Sequence, residues 1–196
     1  MKKELFKRLI KCYQEGADGR CRDDLGKVGP DGKEETFECP LQGAAMKLPN
    51  GIEDNVKALI EVVLEPVVEA YGKPLKIVEG FVCPRRCGKV GNKSLWLHVK
   101  GDTALIQGVE LEGHELRFEN LEIAREIVKN GKFDEMVLED VHEGGIEPKA
   151  IRVSYQRSGG NRQVVKKRVS GRVSTEELSG LDLVQLNGCE TKKIGG

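Results

Sequence analysis

FDEMVLEDVHEGGIEPKAIRVSYQR, residues 133–157, is the stretch on which the fold turns. Two strand candidates, FDEMVLED (133–140) and AIRVSYQR (150–157), flank the glycine-bearing loop VHEGGIEPK. β-branched and aromatic residues suit a pleated surface, and a Gly/Pro-marked break separates one strand from the next. LKIVEGF (75–81) and DTALIQGVEL (102–111) are strand candidates of the same kind. The clearest helix precedes them. Val56, Leu59, Ile60, Val63, Leu64, Val67 and Val68 recur at helical spacing within EDNVKALIEVVLEPVVEA, residues 53–70. Pro66 lies inside that pattern and should kink it or start a new turn, and Gly72 and Pro74 should end it. NLEIAREIVKNG (120–131) predicts a second helix, with Asn120 as N-cap and Gly131 just past its end. The class this predicts is α+β: a small, mostly antiparallel sheet with helices on one side.

The ends of the chain read differently. MKKELFKRLIKCYQEG begins basic, as a secretion signal would, but carries Glu4, Lys7, Arg8 and Lys11 where an apolar region should sit. It reads as a short amphipathic helix with Leu5, Phe6, Leu9 and Ile10 on one side, followed by an irregular Gly- and Asp-rich arm. The expected organisation is an N-terminal helix and arm over 1–48, a domain over 49–165 and a C-terminal extension over 166–196. Rejecting a signal peptide implies a protein kept in the cytoplasm or carried in a virion. Reduced thiols are then the expectation for Cys12, Cys21, Cys39, Cys83, Cys87 and Cys189.

Composition narrows the partners. Formal net charge is +0, from 32 basic and 32 acidic residues, so no global field attracts a polyanion or a membrane surface. No apolar run approaches the roughly 20 residues that a membrane helix needs. Aromatics are 5% of the chain, too few for the stacking platforms of single-strand binders. NRQVVKKRVSGR, residues 161–172, is basic but lacks interleaved aromatics, and reads as a solvated strand or tail rather than a nucleic-acid site.

Five pieces, in order over residues 50–165, resemble the M15 peptidases, the D-alanyl-D-alanine carboxypeptidase and endolysin group. NVKALIEVVLEPVVEAYGKPLKI resembles the family's leading helix and following strand. EGFVCP stands where the family has Ser-Gly-Tyr-Arg-Ser-Pro. VGN and then LHVKGDTALI stand where it has Val-Gly-Gly and Ser-x-His-x-x-Gly-x-Ala-x-Asp-Ile. FDEMVLE matches Phe-Asp-Gln-Leu-Ile-x-Glu, and IRVSYQRSGGNRQVV matches a Trp-x-His-Val-Ser segment and a Gly-x-Asn-Arg stretch. The resemblance implies a zinc-peptidase fold acting on peptidoglycan stem peptides, with His, Asp and His ligands and a Glu as general base.

Residue by residue, that carry-over breaks down. The first ligand falls on His98 and the general base on Glu139. The Asp ligand falls on Leu105 and the second His on Arg152. The substrate-side Arg falls on Val82, and the Ser before the first histidine falls on Trp96. A catalytic zinc needs three protein ligands and an open position for water. Leucine offers no donor, and a guanidinium repels a metal ion. Without zinc, nothing activates the attacking water or polarises the scissile carbonyl. No cofactor is therefore expected.

Rival readings of single residues stay in view. His98 reads as a partly buried polar residue with a hydrogen-bond partner, and Glu139 as the partner of a salt bridge to Arg152 across the former metal position. Cys83, Cys87 and His98 are a displaced zinc site in the alternative reading. A Cys–His nucleophilic pair drawn from Cys83 or Cys87 with His98 or His142 is a further alternative. His114 and His142 read as surface residues. The expected function is a non-catalytic M15-like protein with a binding or structural role, in a phage or virion setting, meeting a protein or peptide partner. The alternatives are an active zinc peptidase with rearranged ligands, including His142, and a scaffold whose terminal arms bind a partner.

Overall fold

A computed structural model describes residues 2–10, 48, 51–81, 98–109, 115–158, 161–178 and 186. The six cysteines, Val82, Trp96 and His114 lie outside them. The elements run α1 (Lys2–Leu9), α2 (Ile52–Leu59), a π-helical turn (Ile60–Leu64), α3 (Glu65–Tyr71), β1 (Lys76–Glu79) and β2 (Thr103–Gln107). After these come α4 (Leu116–Asn130), β3 (Glu135–Val141), β4 (Ala150–Ser154), β5 (Val164–Val169) and β6 (Glu176–Glu177).

The helix expected over 53–70 forms as α2, the π turn and α3 in unbroken succession. Pro66 sits in the first turn of α3, where its missing N–H does least harm. Proline cannot donate to the carbonyl four residues back, that of Val62. Asn130, the last residue of α4, donates its amide to that Val62 oxygen at 3.0 Å. The break that proline imposes on one helix is thus repaired from the end of another. Gly72 and Gly131 both adopt left-handed φ, 73° and 64°, and their N–H groups close the last turns on Val68 and Ile127.

Asn120 is not a cap. α4 begins earlier, behind Glu115 in extended conformation. Asn120 is instead fully buried one turn inside the helix. Its Oδ1 accepts from the Gly108 N–H at 2.8 Å, and its Nδ2 donates to the carbonyls of Lys149 at 2.8 Å and Pro148 at 3.2 Å. A side chain that suits an N-cap is used here to tie α4 to the exit of β2 and the entry of β4.

The sheet order is β1-β2-β4-β3-β5-β6. Every pairing is antiparallel except β3 with β5. The class is therefore α+β with a mixed, mostly antiparallel sheet. The sheet continues past residue 165, because β5 spans that position and buries Val165. Ile77, Ile106, Ile151 and Leu138 are cross-strand neighbours on one face. They join Leu5, Leu9, Leu59, Leu64, Ile123 and Ile127 of the helices in a single apolar core. Side chains alternate across a strand, so the residues between them point to the opposite face.

Candidate functional site

The opposite face carries a row that crosses all six strands: Glu79, Leu105, Arg152, Val137, Lys166 and Glu177. Leu105 and Arg152 are directly paired across β2 and β4. Glu139 lies two residues along β3 from Val137, and Arg168 two residues along β5 from Lys166, so both point to this face. The strand ladders, rather than any loop, fix where these side chains begin.

Glu139 sits between two guanidiniums. Arg152 Nη2 lies 3.0 Å from its Oε1, and Arg168 Nη1 lies 3.1 Å from its Oε2. The Arg152 and Glu139 side chains are 7% and 12% exposed, so the pair is largely withdrawn from water. The ion pair expected between Glu139 and Arg152 is present. Burial pulls the Arg152 guanidinium below its ordinary pKa and Arg168 adds to that, whereas Glu139, Glu135 and Glu79 oppose it. Leu105 and Val137 flank Arg152 in the row and give its methylene stem apolar neighbours. Lys166 pairs with Glu135 at the adjoining position. Three fixed cations, Arg152, Arg168 and Lys166, thus face three carboxylates, Glu79, Glu135 and Glu139.

His98 lies in the tight turn that leads into β2, where its carbonyl accepts from the Gly101 N–H at 3.2 Å. Its side chain is buried, with Nε2 at 4.0 Å from Oε2 of Glu79. This separation is too long for a hydrogen bond and is an ion pair only when the imidazole is protonated. Glu79 is in turn the cross-strand neighbour of Leu105. Pairing and contact therefore link His98, Leu105, Arg152 and Glu139 through Glu79 into one continuous neighbourhood. Val82, Cys83 and Cys87 fall outside the described residues. His142 is exposed in the β3–β4 connection.

Among the described residues, no three His, Cys, Asp or Glu side chains converge as a metal site. Chemically, Glu139 is poorly arranged for general-base work. A general base needs an oxygen within reach of the water it activates, and both oxygens here are engaged by guanidiniums.

Residues that the sequence reading passed over complete the site: Arg168, Glu79, Glu135 and Lys166. Arg168 was hidden in the basic run 161–172, where only the alternation of VVKKRV separates Lys166 and Arg168 from the inward Val165 and Val169. Residues 164–169 of that run form β5, and three of the run's cations are compensated. Lys166 pairs with Glu135, Arg168 with Glu139, and Arg172 with Glu143 at 2.7 Å and Glu176 at 3.1 Å. No described helix is long and apolar enough to cross a membrane. Comparison with protein-family models, with curated proteins and with solved structures finds no match to this chain.

Proposed function

We propose that this chain is a non-catalytic M15 peptidase-like protein with a binding or structural role, its partner a protein or peptide. The observation that carries the reading is the Arg152–Glu139–Arg168 triad. The carboxylate at the general-base position of the resemblance is held by two guanidiniums. One of these stands at the position of the second histidine ligand. A guanidinium supplies fixed positive charge beside a carboxylate without offering a Lewis-acid site. In this reading the triad replaces the zinc centre, so the fold keeps its shape and loses its hydrolytic chemistry. No cofactor is part of the proposal. The setting suggested by the resemblance is a bacterial cell or a virion, and this rests on analogy of fold.

Two structural facts bear on the rival in which the terminal arms alone bind a partner. Leu5, Leu9 and Ile10 of the N-terminal segment are buried in the core. A cut at residue 166 would divide β5. Those parts are built into the domain, which favours the face of the sheet as the reused surface. The direct test is a cleavage assay on peptidoglycan stem peptides with zinc supplied. The proposal expects no product above the uncatalysed rate. Turnover that a chelator abolishes, and that Glu139→Gln removes, would establish the active-peptidase alternative instead.

A further inference from the structure

We propose that the N-terminal helix is a clamp that sets the β1 end of the charged face, acting through Gly80. Three consecutive residues meet three different parts of the molecule. Glu79 ends β1 and faces His98. Gly80 lies against the backbone of Leu9, the last residue of α1. A Cβ on Gly80 would fall 2.1 Å from the Leu9 carbonyl oxygen and 2.6 Å from its carbonyl carbon and Cα. Phe81 is buried in the core, and its N–H donates to that same Leu9 oxygen at 2.6 Å.

The contact is made by backbone on both sides, so no side chain can swing aside to relieve an added methyl group. It also has a chemical reason. The last carbonyls of a helix have no partner within the helix. The exit of β1 supplies one to α1. The hold is reinforced by Leu5, Leu9 and Ile10 in the core and by Lys2, which pairs with Glu65 at 3.1 Å. The β1–β2 ladder loses regular register between Ile77 and Glu79, just before the clamp. The position of Glu79 is therefore set by the docked helix as well as by the sheet. Releasing α1 frees Glu79 to leave His98 and opens the charged face at its β1 end. This inference stands on geometry alone and survives if the proposed function fails.

The experiment uses the full ¹⁵N-labelled chain and two NMR readouts at one fixed pH: hydrogen exchange of the amides of residues 5–10, and the ring-nitrogen shifts of His98. Glu79→Gln defines the ring shift that follows when the Glu79 charge is lost while the helix stays docked. Gly80→Ala is expected to speed α1 exchange about tenfold or more, and to move the His98 ring signals in the direction that Glu79→Gln moves them. Leu5→Ser, which weakens the docking without touching β1, is expected to do the same to a smaller extent, and carries the test alone if Gly80→Ala fails to fold. Faster α1 exchange with His98 signals as in the wild type would overturn the proposal. So would an α1 that stays protected in Gly80→Ala.

Discussion

On the helix-facing side of the sheet, one row reads Ile77, Ile106, Ile151 and Leu138, and it is sealed by α1 to α4. On the other side, the adjoining row, one residue along except at the β1 irregularity between Ile77 and Glu79, reads Glu79, Leu105, Arg152, Val137, Lys166 and Glu177. The same strands and the same ladders support both. The first side is held by apolar area, which is non-directional and scales with what is removed from water. The second is held by specific pairs, each of which fails if one member is removed. Replacing a buried ion pair by well-packed apolar side chains is often neutral or stabilising. The charged row is therefore weak evidence for stability taken as a whole, although removing one member of a buried pair strands the other.

Two substitutions compare the faces directly and two probe what lies beside them, and each is checked by equilibrium denaturation. Leu138→Ala removes a fully buried side chain from the apolar row and should lower stability by about 4 kcal/mol, as large-to-small core changes do. Glu139→Ala strands the buried Arg152 and should cost about 3 kcal/mol. The effect is held below the upper end of that range because the Arg168 side chain, 27% exposed, can turn to water. Equal insensitivity of the charged face to this change would mean that its pairs are ornamental. Asn130→Ala leaves the Val62 carbonyl without the donor that compensates Pro66, and should cost about 1 kcal/mol.

The smallest expected effect has a pH signature. Burial raises the Asp102 carboxyl above its ordinary pKa, and the Asp134 charge adds to this, against a hydrogen bond from Thr103. A carboxyl whose folded pKa is raised contributes stability below its unfolded pKa, and that stability is lost as pH rises through the raised value. At neutral pH this carboxyl therefore weighs against the fold. Asp102→Asn should raise Tm at neutral pH, and the gain should vanish near about pH 3, below the unfolded value. A gain that is the same at both pH values would point to packing rather than charge.

How much of this was legible beforehand depends on the physics involved. Helical spacing over 53–70 and the glycines at 72 and 131 report local backbone preferences, and α2, α3 and both helix ends follow them. Asn120 misled because its amide serves equally as a cap or as a buried tie, and only Gly108, Pro148 and Lys149, brought up by the fold, decide between the two. From residue 166 onward β5 and β6 read in sequence as an extension, because charged residues fill VVKKRV. Their compensating partners Glu135 and Glu139 are distant in sequence and adjacent only through the parallel β3–β5 pairing. The Glu139–Arg152 pair follows from the order of motifs in the sequence, whereas Arg168 needs the parallel pairing to come beside Glu139. Gly80 gave no sequence signal, since what it avoids is the backbone of a helix some seventy residues away.

The proposed reading places the Arg152 guanidinium where a metal would otherwise be held. Zinc content per chain, measured by elemental mass spectrometry after zinc loading and dialysis, tests it most directly, with Leu105→Asp/Arg152→His measured beside the wild type. Near-zero zinc is expected in the wild type and bound zinc in the double variant, in which His98 and the two new side chains would offer three donors. About one zinc per wild-type chain would contradict that reading.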